Sequence, residues 1–424
     1  MPICDICGKE LVNLKKHKER KTPCKSPTQL IQKALGIPQL STTEFRESSK
    51  AFNKSLTKDE RSDQGIYFTP KKVRELLFSK LKDINVKPKK ILEPSFGTGE
   101  FLLDAKCIYP TAELFGVEKN EKLFKSLTIP GSTLTCSDFL SWKGSVDLIV
   151  GNPPYFVDSS LKNTKCMTGR PNIYIRFLYK CLTEHLDPDG YLAFIIPTSL
   201  YNCSYYQPMR NYIQENTTIH WLENLHKPGF YETGQDTMLI ILQKTKSTKA
   251  DFIFKPKNGN VYLSPFYKEL YTSIQNTHTL KDLDLGAKTG NVVWNQEKPN
   301  LSDEGTLLIY SSNIKDSKLV IGNPGKNKKQ YIKNLKKPLL NGPVILVERG
   351  YGNSFSFNSV LVEEKNFYAE NHINVIYPKN PEAVQNLKRV IKSFQDGRTL
   401  AFVKMFLGNG TISATDLETL IPIY

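Results

Sequence analysis

Lys90-Ile91-Leu92-Glu93-Pro94-Ser95-Phe96-Gly97-Thr98-Gly99-Glu100-Phe101-Leu102-Leu103 reads as a short buried strand, a turn with two glycines, and the start of a helix. Gly97 and Gly99 let the backbone come close to a ligand, and a helix start offers free N–H groups, so the stretch has the form of a nucleotide-type loop. A Gly-x-Gly alone is a weak signal. The acid ahead of it adds to it: Glu93 can accept hydrogen bonds from the ammonium group of an amino-acid moiety. About 20 residues on, Leu114-Phe115-Gly116-Val117-Glu118 reads as a second strand ending in a carboxylate, the position from which an acid takes a ribose hydroxyl pair. A third unit ends in Cys136-Ser137-Asp138-Phe139-Leu140, where Asp138 can bind an adenine amino group and Phe139 can pack on the ring. A fourth apolar run, residues 146–150, leads into Asn152-Pro153-Pro154-Tyr155. Strands tipped by Glu93, Glu118, Asp138 and Asn152 and separated by helix-length segments predict a doubly wound α/β sheet with its ligands at the carboxyl ends of the strands. Each acid alone is equally compatible with a solvated loop.

The tetrapeptide points to chemistry on an amino group. The lone pair of an exocyclic amine on a base is delocalised into the ring and must be drawn out before it can attack. The Asn152 side-chain carbonyl and a backbone carbonyl fixed by the prolines can both accept from an NH2 group, and Pro153 and Pro154 hold φ near −65° without adding a donor. Tyr155 offers a flat face for a planar ring, an interaction worth roughly 1–3 kcal/mol per base. Asn-Pro also opens ordinary turns and Pro-Pro is a common rigid connector, so the upstream order carries the reading.

Taken in order, these residues resemble the S-adenosylmethionine-dependent amino-methyltransferases of DNA, and among them the gamma-class, TaqI-like adenine-N6 enzymes. Gln64-Gly65-Ile66-Tyr67-Phe68-Thr69-Pro70 is similar to that family's first cofactor motif, which in the gamma class precedes the glycine loop; it would place Tyr67 and Thr69 beside Glu93, Pro94, Ser95, Gly97, Gly99, Glu118, Asp138 and Phe139 as cofactor-binding residues. Residues 172–177 and 189–198 are similar to the helix and strand that follow the catalytic loop. The family sandwiches its flipped base with a second aromatic from a late loop. In residues 229–237 spacing favours Tyr231, with Phe230 as competitor, and either can instead be core. The resemblance implies a Rossmann-like methyltransferase sheet and direct methyl transfer from the sulfonium to the amine, with Asn152, Pro153, Pro154 and Tyr155 as the catalytic grip. It also implies a flipped base, because the amine in a duplex is paired and stacked.

At the front, Cys4, Cys7, His17 and Cys24 form a plausible tetrahedral zinc set, expected as a structural Zn2+ site in a small module over residues 1–25. Scattered free thiols are the alternative, and the gap from His17 to Cys24 is longer than in common fingers. Lysines and arginines cluster around this module, which suits phosphate contacts or mere solvation. Residues 26–63 read as a polar linker, 64–243 as the catalytic domain, and 244–424 as a second, mixed α+β domain similar to a target-recognition domain. Charge follows this division: 1–64 carries 13 Lys+Arg against 8 Asp+Glu, 65–243 carries 20 against 18, and 244–424 carries 25 against 16, nets of +5, +2 and +9 within the total of +16. A near-neutral centre between basic flanks suits a protein that embraces a polyanion. Residues 326–329 and 333–337 supply candidate phosphate contacts, although lysine runs also serve solubility.

The 424 residues, 39% of them hydrophobic, can bury one large α/β core and a smaller second one. No stretch approaches the roughly 20 apolar residues of a membrane span, and the first residues lack a signal peptide's apolar core. The expected location is therefore intracellular, in cytoplasm, nucleus or a viral factory. Cys107, Cys136, Cys166, Cys181 and Cys203 show no paired spacing, consistent with reducing conditions. Duplex DNA is the expected partner. RNA or a protein glutamine amide are rival substrates, since the tetrapeptide suits planar amides too, and an inactive DNA-binding version of the fold is a rival of another class. The sequence leaves the oligomeric state open, a monomer being one option.

Overall fold

The structure, a computed structural model, describes residues 49, 52, 68–161, 164–169, 172–225, 236–246, 250–322, 324–325, 327–350, 357–407 and 411–424. The zinc set Cys4, Cys7, His17 and Cys24, together with Tyr67, Phe230 and Tyr231, lies outside the described residues.

The four strands expected from the sequence are β1 (Lys90–Glu93), β2 (Glu113–Glu118), β3 (Ser132–Cys136) and β4 (Val146–Gly151). With β5 (Leu186–Pro197), β6 (Thr218–Leu225) and β7 (Thr237–Gln243) they form one sheet in the order β3-β2-β1-β4-β5-β7-β6. Strands β1 to β5 pair in parallel, and β7 runs antiparallel to both β5 and β6. Central parallel strands are covered on both faces and need near-continuous apolar residues; β4 meets this with Val146, Leu148, Ile149 and Val150, all fully buried. Their side chains alternate. Leu148 and Val150 pack with α1 (Lys71–Asp83) and α2 (Glu100–Ile108), while Val146 and Ile149 pack with α4 (Ile173–Lys180) on the opposite face. Helix α1 contributes Val73, Leu77, Phe78 and Leu81, a stripe at helical spacing. The strand order reverses between β1 and β4, the switch point where a ligand crevice opens in such sheets.

The C-terminal half is mixed α+β. A four-stranded antiparallel sheet runs in the order Leu285–Thr289, Ile373–Pro378, Val344–Glu348, Ser359–Val362. Leu346 and Val375 on one face pack against Phe367 and Ile309 of a five-stranded mixed sheet. Ile345 and Ile376 on the other meet helices Asn386–Phe394 and Gly397–Leu407.

Two boundaries differ from the expectation. The hairpin Ile253–Phe254 with Tyr262–Leu263 sends Ile253, Val261 and Leu263 into the core of the first sheet, and buried Arg210 of α5 (Gln207–Asn216) donates to the Val261 carbonyl. Phe254 and Tyr262 of the same hairpin pack into the second core, so the hairpin past residue 244 is shared between the two cores. Ser49 and Phe52, in the stretch read as linker, also belong to the catalytic body: Ser49 is buried and bonds Thr98 and Glu100, and Phe52 packs edge-on to Phe68. No described helix is long and apolar enough to cross a membrane.

Candidate active site

The glycine loop takes the conformation its residues permit. Gly97 and Gly99 have φ of 54° and 75°, the left-handed region that side chains disfavour. The turn brings the Gly97 amide onto the Glu118 carboxylate at 2.9 Å, and the Asn120 amide reaches its other oxygen at 2.7 Å. The Asn120 side chain then caps α3 (Glu121–Lys125) by accepting from the amides of Lys122 and Leu123.

A cavity of about 760 Å³ opens at the carboxyl edge of the sheet. It gathers the expected tips of all four strands: Glu93, Glu118, Asp138 and Asn152 line it. Thr69, Pro94, Ser95, Gly97, Phe139 and Pro154 line it too. Gly99, Pro153 and Tyr155 do not; Gly99 works one position away as the residue that starts α2. Residues that sequence reading passed over complete the walls, among them Phe52, Phe68, Lys119, Phe156 and Phe177.

Two buried hydroxyls in this wall, Thr69 Oγ1 and Ser95 Oγ, have no hydrogen-bond partner among the described residues. Buried polar groups are nearly always satisfied, so their orphaned state together with the polar tips fits a polar ligand with a ribose and an amino acid. Arg74 holds the Thr69 side of the cavity. Its Nη1 donates to the Thr69 carbonyl at 2.5 Å and pairs with Glu100, and its Nε donates to Asp104 at 2.6 Å. Thr69-Pro70 and Arg74 are one helical turn apart, a spacing that could have exposed this clamp in the sequence.

The acids differ in electrostatics. Burial pushes Glu93 well above the ordinary carboxyl value, against the lowering effects of the Leu102 amide and the Arg74 charge, with Glu118 and Glu100 adding to the rise. Burial also raises Glu118, opposed by the amides of Asn120, Gly97 and Lys119. At Asp138 burial works upward but is outweighed by the Lys119 ammonium, 2.9 Å away, and the Leu140 amide, so the carboxyl lies below its ordinary value.

The Glu93 shift gives a signed expectation. Below its raised pKa but above about 4.5, Glu93 is mostly protonated in the folded protein and ionised in the unfolded chain, so stability of the ligand-free protein falls as pH rises through that window. An ammonium group binds the ionised form. Binding in the same window must therefore expel a proton, and affinity for an amino-acid ligand falls as pH is lowered, by up to about tenfold per unit. Calorimetric titration of S-adenosylmethionine across this range should show that slope in the wild type and lose it in Glu93→Gln; equal slopes in both would remove the role of Glu93.

At the tetrapeptide, the stacking face expected of Tyr155 is largely covered. The side chain is 9% exposed, lies edge-on to Tyr174 with ring centroids 6.0 Å apart, and belongs to the core. Its hydroxyl donates to the Ile195 carbonyl at 2.6 Å and also contacts the Asn152 carboxamide oxygen. Burial pushes that hydroxyl well above its ordinary pKa, keeping it a donor. Tyr155 thus ties Asn152 to β5, while Asn152, Pro154 and Phe156 reach the cavity.

The candidate phosphate contacts of the C-terminal half are partly spoken for. Lys328 pairs with Glu370 and sits over Tyr310, Lys329 pairs with Asp303, Lys333 with Glu304 and Lys337 with Glu297. Among the described residues no group of three or more His, Cys, Asp or Glu side chains could hold a metal ion.

Residues 85–230 match the model of a family described as Eco57I restriction-modification methylase. The chain is 33% identical over 405 residues to the modification methylase CviBIII of Paramecium bursaria Chlorella virus NC1A, covering 91% of this chain and 100% of that protein. It is 31% identical over 397 residues to the Type II methyltransferase M.CvrRI of Paramecium bursaria Chlorella virus XZ-6E, covering 90% and 99%. A more distant relative, the Type II methyltransferase M.AccI of Acinetobacter calcoaceticus, is 26% identical over 210 residues, 45% of this chain and 38% of that one.

Proposed function

We propose, from the premise that this chain belongs to the Type II methyltransferase (modification methylase) family, that it moves a methyl group from S-adenosylmethionine to the exocyclic N6 of an adenine flipped out of duplex DNA. The observation that carries the reading is the meeting of Asn152 with Glu93, Glu118 and Asp138 in one cavity. When bound, S-adenosylmethionine supplies an activated methyl group on a positively charged sulfur. Glu93 would take its ammonium, Glu118 its ribose hydroxyls, and Asp138 with Phe139 its adenine; the hydroxyls of Thr69 and Ser95, which also line the cavity, would be further contacts.

Asn152 Oδ1 has two lone pairs, and the Tyr155 hydroxyl contacts this oxygen. An incoming amine can use the remaining acceptor capacity, together with the Pro153 carbonyl, so that its own lone pair is aimed rather than spread into the ring. The gain is chiefly positional and needs water kept out, which the surrounding aromatics Phe139, Phe156 and Phe177 assist. Stacking on Tyr231, or Phe230 in its place, belongs to the same proposal, with the buried Tyr155 anchoring Asn152.

Adenine is favoured by the gamma-class order and by Asn rather than Ser at the head of the tetrapeptide. The basic C-terminal half is the proposed target-recognition domain and the basic front a second DNA contact. Methyl transfer to duplex DNA, RNA and protein compared side by side tests the substrate class: transfer to the duplex is expected, and transfer to protein or RNA alone would overturn it. We also propose one structural Zn2+ on Cys4, Cys7, His17 and Cys24. Metal analysis of the purified protein should find about one equivalent, lost in Cys7→Ser; a metal-free wild type would refute the site.

A further inference from the structure

While Lys328, Lys329, Lys333 and Lys337 are paired with acids, a different pair of lysines in the C-terminal half is not. Strands Ile314–Lys315 and Lys318–Leu319 form an antiparallel hairpin closed by Asp316 and Ser317. Both turn residues have positive φ, 48° and 60°, the backbone of a tight two-residue turn whose twist matches the strands it joins. The register sets Ile314 opposite Leu319 and Lys315 opposite Lys318. Side chains alternate across a strand, and burial follows: Ile314 and Leu319 pack into the core between the two C-terminal sheets, while Lys315 and Lys318 are exposed.

Like charges directly opposite each other destabilise a strand pair. No acid offsets this pair among the described residues: neither lysine makes an ion pair there, and nor does Asp316 in the turn between them. By contrast Lys329 and Lys333, a few residues on, meet Asp303 and Glu304. Two exposed ammonium groups held side by side without an acid call for an anion from outside the chain. A duplex supplies anions at close, regular spacing, and residues 244–424, which carry the hairpin, have a net charge of +9.

The base of the hairpin is locked by buried amides. Asn313, 1% exposed, donates through Nδ2 to the Val320 carbonyl at 2.8 Å and to Gln330 Oε1 at 3.1 Å. Its Oδ1 accepts from the Tyr310 amide at 2.9 Å and from Gln330 Nε2 at 3.0 Å. Gln330 also donates to the Leu308 carbonyl at 2.7 Å and accepts from the Gly322 amide at 3.0 Å, and Asn358 Nδ2 donates to the Ile314 carbonyl at 2.8 Å. A fully bonded buried network fixes one geometry, so little ordering cost remains when the lysines meet a partner. The same support leads to the catalytic body: the Glu348 amide donates to the Asn358 carbonyl at 3.0 Å and the Ile412 amide to the Arg349 carbonyl at 3.1 Å. Phe406, six residues before Ile412, accepts at 2.9 Å from Asn202, which lies five residues past the end of β5.

We infer that the hairpin of residues 314–319 is a DNA-backbone contact, with Lys315 and Lys318 on phosphates of the duplex that carries the target base. This rests on the reading of the chain as a duplex DNA methyltransferase. Phosphate contacts position a protein without reading sequence, and their signature is counterion release. The test measures equilibrium binding of the full chain to a methylatable duplex and to an unrelated one over a range of salt. Wild type is compared with Lys315→Gln/Lys318→Gln, Lys315→Arg/Lys318→Arg and Lys329→Gln/Lys333→Gln. In the first variant the slope of log affinity against log salt should shrink by about 1.8, about 0.9 for each phosphate released, and equally on both duplexes. The Arg pair keeps the charge and should keep the slope. Neutralising Lys329 and Lys333, already paired with acids, should change it by roughly half as much or less. Because the Gln pair relieves a like-charge contact, it should melt no lower than wild type. An unchanged slope in the Gln pair, a slope lost in the Arg pair as well, an equal change on neutralising Lys329 and Lys333, or a loss confined to one duplex would overturn the assignment. A Gln pair that melts well below wild type would overturn it too, by making the lysines part of the fold. A wild type that binds no duplex DNA would instead bring down the functional reading itself, before any variant is compared.

Discussion

Asn152→Ala should lower turnover on duplex DNA by about 10²- to 10³-fold, the scale seen when one preorganised polar group is removed from a reacting centre. The side chain lines the cavity, but neither Glu93, Glu118, Asp138 nor the Arg74 clamp depends on it for a hydrogen bond. Affinity for S-adenosylmethionine and for the duplex should therefore stay within about threefold, because only the interaction that aims the amine is lost. Tyr155→Phe is the matched control. It keeps the ring against Tyr174 and deletes the hydroxyl at the Ile195 carbonyl and Asn152, so turnover should fall less than in Asn152→Ala while the fold is kept. Full activity in Asn152→Ala would show that the tetrapeptide is a turn and nothing more.

Arg74→Met should be the most destabilising single change near the cofactor cavity, by about 3–5 kcal/mol, since it strands carboxylates that are buried against a charge. Arg74 is 2% exposed and Glu100 5%, so water cannot replace the lost partner. The same change frees the Thr69 carbonyl and the start of α2, and with them one wall of the cavity. Denaturant unfolding should show the stability loss. Cofactor titration should show weakened binding at temperatures where the variant is still folded. Arg74→Lys should recover part of the stability but not the three-way geometry, which needs a planar fork. A Met variant within about 1 kcal/mol of wild type would mean that the clamp is ornamental.

The first sheet was legible because its strand tips carry function and its strands are apolar throughout. Glu93, Glu118, Asp138 and Asn152 announce β1 to β4 in order, and Gly97 and Gly99 occupy the left-handed backbone their residue type permits. The place of β7 between β5 and β6 was not legible, because its run of seven residues, six of them buried, suits any interior position and its neighbours are fixed only by pairing across the sheet. Tyr155 was read as a stacking platform, yet its burial is decided by Tyr174 and the Ile195 carbonyl, 19 and 40 residues away. The sharing of the hairpin of residues 253–263 between the cores was not legible either, because its apolar residues suit both: Ile253 and Leu263 enter the first core, Phe254 and Tyr262 the second. Lysines at 328, 329, 333 and 337 look like free phosphate contacts in sequence, and the acids that pair with them lie 26 to 42 residues away.

The central claim is that the cavity holds S-adenosylmethionine for transfer to an adenine amine in duplex DNA. The measurement that meets it most directly is nucleoside mass spectrometry of unmethylated duplex DNA incubated with the purified protein and isotopically labelled S-adenosylmethionine. The label is predicted to appear in N6-methyladenine, and to disappear with Asn152→Ala. Label in N4-methylcytosine alone, or no label in DNA while RNA or protein accepts it, would contradict the account.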